Sequence, residues 1–213
     1  MVLQLGWIRR DSVVRVDRFT RELVTLWTKS MTSMHYLALL RGINVSGRNV
    51  IKMTDLKACF EMIGCSDVAT YIQSGNVVFR SEELDTNTLV IAIERALSAH
   101  FAYMSRVVVL THTQLAHIVE HAPAGFGTEP EHYRYDVIFL KSPLTATEAM
   151  HSVSLKPGVN TAHVGPGVLY FSRLISKAAQ SQLSRIITLP VYQYMTIRNW
   201  NTTTKLLALM ECA

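Results

Sequence analysis

The chain has 213 residues, 49% of them hydrophobic and 17% charged, with a formal net charge of +5. That composition excludes wholesale disorder and leaves room for a buried core, and no uncharged apolar run approaches the roughly 18 residues of a membrane span. Cys59, Cys65 and Cys212 are too few and too scattered for a disulfide framework or a zinc site. All three are expected as small buried hydrophobes in a reducing, cytoplasmic setting.

Residues 1–30 hold six basic and three acidic residues, while the remainder holds 15 and 13. The charge excess that first suggests nucleic acid therefore sits mostly at the N-terminus, and the body is close to neutral. Val16, Phe19, Leu23, Leu26 and Trp27 recur at helical spacing, which fits an amphipathic presequence or a membrane-surface helix. The preferred reading is an upstream start, with residues 1–33 an extension outside the compact domain and the fold beginning at Met34.

From Met34 the periodicity is legible. "HYLALL" predicts a strand. Thr54 is the expected cap of a helix whose inner face carries Leu56, Cys59, Phe60 and Ile63, ended by Gly64. "VATYIQ", the turn "SGN" and "VVFRS" predict a hairpin. Asp85 should cap a second helix with Leu89, Ile93, Ala96 and Leu97 inward, and "SRVVVLT" is the fourth strand. Leu39, Phe60 and Ile93 are expected to share one core. This β-α-β-β-α-β order over residues 34–111 is that of a ferredoxin-like unit.

Residues 112–213 read as a linking helix, "TQLAHIVEHA", followed by the same order again. "YRYDVIFLK" is a strand and a short helix covers Thr145 to Val153. "NTAHV", "GPG" and "VLYFS" make a hairpin. A helix is expected from Ala178 to Thr188 with Leu183, Ile186 and Ile187 inward. "YQYMTI" is the last strand, and Asn199 or Asn201 caps a C-terminal helix. The Pro- and Gly-rich "HAPAGFGTEPEHY" reads as a loop between the halves. The expected fold class is α+β, two ferredoxin-like β-α-β-β-α-β units in tandem with an added C-terminal helix.

A ferredoxin-like sheet has strand order 4-1-3-2, which brings the end of strand 1 to the turn between strands 2 and 3. Arg41, Gly42 and Asn44 should therefore meet Gln73, Ser74, Gly75 and Asn76. Gly42 and Gly47 would let backbone N–H groups face outward, and such concavities hold anions. The next helix N-terminus adds positive potential, and Arg41, Arg48 and Lys52 add formal charge. The same loop composition also suits a turn with no ligand. "GINVSG" matches neither the dinucleotide nor the P-loop fingerprint.

"LLRGINVSGRNVIKM", "TYIQSGNVVF" and "RNWNT" followed by "KLL" closely resemble the bacterial family called domain of unknown function 1697, over about Tyr36 to Leu209. The resemblance implies an α+β architecture of two related halves and no established activity. Its motif positions carry over to Arg41, Gly42, Asn44, Gln73, Ser74, Gly75, Asn76, Arg198, Asn199, Trp200 and Thr202. Ser46 stands where the family has a second glycine. Trp200 suits either an anchor for the last helix or a stacking surface beside Arg198.

His117 and His121 stand four apart on one helix, a metal-compatible spacing, with His112 on the adjoining turn. No third ligand is evident and Glu120 is expected off that face, so a solvated surface is expected and no metal. Ser74 lies in "QSGN", not in a nucleophile elbow. Asp136, on a strand, is the one acid to inspect for a raised pKa. No cofactor is expected, and whether the protein is an enzyme is not legible, nor is its oligomeric state. The favoured partner is a small anionic or nucleotide-like ligand. A nucleic-acid-binding protein and an enzyme acting on a phosphorylated substrate are the alternatives, the former weakened by strands without the aromatic pattern of RNA-recognition sheets.

Overall fold

Strand β1 (Met34–Leu40) has alternate side chains in two different cores. Tyr36, Ala38 and Leu40 enter one, Leu37 and Leu39 the other, and all five are at most 1% exposed. A strand buried on both faces must be apolar at every position, which explains the unbroken "YLALL". In this computed structural model residues 33–44, 49–101, 104–181 and 183–212 are described. The expectations for residues 1–30, and for Ser46, Gly47 and Arg48, lie outside them.

The architecture is α+β, with two four-stranded antiparallel sheets. The first contains β1, β2 (Ser66–Tyr71), β3 (Asn76–Ser81) and β4 (Val107–Thr111) in the order β2-β3-β1-β4. The second contains β5 (Tyr133–Leu140), β6 (Asn160–Gly165), β7 (Val168–Leu174) and β8 (Met195–Asn199) in the order β6-β7-β5-β8. Helices α1 (Met53–Met62) and α2 (Thr86–Phe101) cover one face of the first sheet, packing Leu56, Cys59, Phe60, Leu89, Ile93 and Leu97 onto Tyr36 and Phe79. Between the two sheets lie α3 (His112–Glu120) and α5 (Trp200–Cys212). Their Leu115, Ile118, Leu206 and Met210 meet Leu37 and Leu39 from one side and Val137, Phe139 and Tyr170 from the other. Helix α4 (Ala146–Ser152) and turns of 3-10 helix close the outer face of the second sheet over Ile138, Leu169 and Phe171.

Local chemistry accounts for most boundaries. Asp85 accepts from the Asn87 and Thr88 amides and the Thr88 hydroxyl, capping α2 and holding its own pKa below the usual carboxylate range. Gly64, at φ +88°, ends α1 with paired bonds from Gly64 N to Glu61 O and Cys65 N to Phe60 O. Thr111 and Gln114 form a capping box on α3, as Thr145 and Glu148 do on α4.

Several expectations fail for identifiable reasons. Thr54 is not the cap of α1: its hydroxyl bonds Asp55 Oδ1, and Lys52 takes the position without a side-chain bond. Ile63 is 36% exposed because it follows the last helical residue and leaves the inner face. Leu39 shares no core with Phe60 and Ile93, since strand alternation points it at the other face. The expected helix at 178–188 is instead 3-10 helix at Ile175–Gln180 and Leu183–Thr188, with Ile186 buried and Ile187 57% exposed. The run Ile186–Ile187–Thr188 is β-branched, and Pro190 follows at once, so a regular helix is poorly supported there. Leu183's side chain lies outside the described set. Pro190 also starts a turn through Tyr194, which delays the last strand to Met195. Cys59 and Cys65 are buried, but Cys212 is exposed at the end of α5.

Candidate functional site

The last residues of β1, the β2–β3 turn and strand β8 converge. Leu40 N donates to Gly75 O at 2.8 Å, which sets the Arg41 loop against the Ser74 turn. Gly75 is required there. It has φ +73°, and a Cβ on it would stand 2.8 Å from Leu40 Cβ and 2.9 Å from Ile43.

Into this junction β8 inserts Arg198. Its Nε donates to Asn76 Oδ1 at 2.5 Å, and its Nη2 donates to Leu40 O and Ser74 O, both at 2.8 Å, and to Gly75 O at 3.3 Å. Asn76 is fully buried and donates its Nδ2 to Tyr71 O and Ser74 Oγ. Burial pulls the Arg198 pKa down to about 10, with Tyr192 acting in the opposite direction, so the guanidinium remains charged at neutral pH. All its acceptors are neutral.

Tyr192 also carries the second cation. The Arg41 guanidinium stacks over its ring at 4.3 Å, and the Arg41 Nε is buried without a hydrogen-bond partner. Beyond Arg41 the loop is tied to itself. Asn44 (φ 52°) bridges the Ile51 amide and carbonyl, and Asn49 Nδ2 donates to Gly42 O. Gly42, Gln73 and Lys52 are exposed at its rim.

The residues marked by the sequence thus separate into two places. Arg41, Gly42, Asn44, Gln73, Ser74, Gly75, Asn76 and Arg198 come together. Asn199 and Trp200 belong elsewhere: Asn199 Oδ1 accepts from Thr202 N at 2.7 Å as the cap of α5. Trp200 packs edge-on to Phe126 at 5.2 Å, and Gly127 lies so close that a Cβ there would be 2.3 Å from the indole. These two residues line a separate cleft of about 240 Å³ with Tyr133, Asp136 and Asn201. Burial raises the Asp136 pKa, against the opposing pull of Arg173 and Arg134, as its strand position suggested. Tyr192 was missed, because "YQYMTI" reads as continuous strand; Pro190, two residues earlier, was the available sign of a turn.

On α3, the ligand atoms of His117, Glu120 and His121 all lie within 4.8 Å of one another. Glu120 is therefore not off that face as expected. The interval of three residues from His117 to Glu120 is as close on a helix surface as the interval of four to His121.

The family model described as "Protein of unknown function (DUF1697)" matches residues 34–170, well over half of the chain. The chain belongs to that family. The match covers the Arg41 loop and the Ser74 turn, while "RNWNT" falls beyond it. A solved structure of a conserved bacterial protein from Streptococcus pneumoniae is similar, with TM-score 0.73 and 24% identity over 84% of this chain and 99% of that one. At that identity the likeness establishes the fold. No match is found among curated proteins. Among the described residues, no helix is long and apolar enough to cross a membrane.

Proposed function

We propose that the protein binds a small anionic or nucleotide-like ligand where the Arg41 loop meets the Ser74 turn. One observation carries this reading. Two guanidiniums share this corner, Arg41 stacked over Tyr192 and Arg198 bonded to Leu40 O, the carbonyl next to Arg41, and neither has a carboxylate partner among the described residues. Two cations in one corner without a counter-charge favour an anion there. Arg198 has its donors committed to the fold, so its role is to supply field. Arg41, half-buried and without a carboxylate partner among the described residues, is the group that would touch the ligand.

The proposal includes the finer architecture of two ferredoxin-like halves, supported by strand orders 4-1-3-2 and 8-5-7-6. It includes a cytoplasmic location, supported by three free cysteines. Nucleic acid is the weaker alternative, because RNA-recognition sheets stack bases on an open face, whereas β1 is buried on both of its faces.

Thermal melts with inorganic phosphate and with adenosine monophosphate test the reading. Wild type should melt higher as the probe is raised, since a ligand stabilises the state it binds, and Arg41→Ala should lose that response. A wild type indifferent to both probes, or an Arg41→Ala protein that responds equally, overturns it.

A further inference from the structure

We propose that the last turn of α3 is a binding site for a divalent transition metal of the zinc class, held by His117, Glu120 and His121. The three side chains are exposed, and their ligand atoms lie within 4.8 Å of one another, so small rotamer changes bring them onto one ion. The two imidazoles already touch, with ring centroids 3.8 Å apart. Two imidazoles and a carboxylate are a donor set that suits zinc, copper or nickel and leaves at least one position for water.

Three further features favour a metal over a solvated surface. The first is tautomer. His121 Nδ1 lies 3.0 Å from His117 O. A carbonyl only accepts, so Nδ1 carries the proton and Nε2 presents its lone pair outward, the orienting bond usual behind metal-bound histidine. The second is rigidity. Leu115 and Ile118 are buried, Thr111 and Gln114 cap the helix, and Tyr170 Oη donates to Ile118 O at 2.5 Å. Ligands on so firmly seated an element lose little entropy when the ion binds. The third is polarity. The turn lies at the helix C-terminus, where the backbone dipole favours a cation. His112 is excluded from the set, because its Nε2 faces Glu211 at 3.8 Å.

The test is a Zn²⁺ titration of the untagged full chain against a chromogenic chelator, with circular dichroism confirming the fold of each variant. Wild type should compete for one equivalent of Zn²⁺. His117→Ala and His121→Ala should each weaken binding by more than about 10-fold, a scale at which even outer-shell partners of metal sites act. Glu120→Gln should weaken it measurably. His132→Ala and Cys212→Ser, at two of the other exposed nitrogen and sulfur donors, should bind as wild type does. A wild type that does not compete overturns the proposal. So does retained affinity in His117→Ala and His121→Ala, or a loss that appears in Cys212→Ser instead. An unchanged Glu120→Gln overturns the three-ligand site.

Discussion

Arg198 and Asn76 are 122 residues apart in the chain, and their side chains meet at 2.5 Å, Nε donating to Oδ1. This bond joins the last strand of the second sheet to the first residue of β3 in the other. Because the same guanidinium also holds the carbonyls of Leu40, Ser74 and Gly75, a single side chain locks the corner in which Arg41 stands. The arginine that resembles a ligand contact in sequence is thus a structural member of the corner, and Arg41 is left as its free charge.

Removing that lock should be expensive. Arg198→Ala removes the side-chain donor from the fully buried Asn76 amide oxygen and from the Leu40 and Ser74 carbonyls. An unsatisfied buried group costs about 1–3 kcal/mol, so urea unfolding should show a loss of about 3 kcal/mol or more. With Asn76→Ala, a double-mutant cycle should give a coupling of at least about 0.5 kcal/mol. Simple additivity would contradict the bond.

The two glycines of the corner should differ. Both have positive φ, but a Cβ on Gly42 meets nothing within 4 Å, whereas one on Gly75 meets Leu40 Cβ at 2.8 Å. Gly42→Ala should cost about 1–2 kcal/mol, the penalty of the left-handed conformation alone. Gly75→Ala should cost clearly more, and equal thermal shifts would mean that Gly75 is not pressed against β1.

Leu39 and Phe60 serve different cores. Leu39→Ala should cost about 2–5 kcal/mol and Phe60→Ala about 3–5 kcal/mol. With no shared partner across the sheet, the double variant should be additive to within about 0.5 kcal/mol. Strong coupling in chemical denaturation would place both in one core and refute the layering around β1.

Asp136 should make stability depend on pH. An unfolded aspartate titrates near pH ~3.9, and burial holds the folded carboxyl above its ordinary value. Across that window the folded state binds the extra proton, so this group's contribution falls as pH rises through it. Asp136→Asn should therefore gain on wild type between about pH 4 and about pH 7. A stability difference that is the same at both ends would show that the carboxyl is not raised.

Local signals in the sequence determined much of this protein. Strand periodicity, the Asp85 cap, the Gly64 terminator and the hairpin turns each depend on residues within a few positions of one another, and the elements they predict appear where the spacing puts them. The convergence of the Arg41 loop on the Ser74 turn was also legible, because a β-α-β-β-α-β order implies its strand neighbours. What local pattern does not contain is the partner across the molecule. "YLALL" shows that β1 is apolar throughout, but not that Leu37 and Leu39 face α3, α5 and a second sheet while Tyr36 and Leu40 face α1 and α2. "TIRNWN" shows an arginine beside a tryptophan. Only the packing of β8 against the first half sends Arg198 to Asn76 and Trp200 to Phe126 and Gly127. Adjacent strand residues point to opposite faces, and the tertiary structure decides what each face meets.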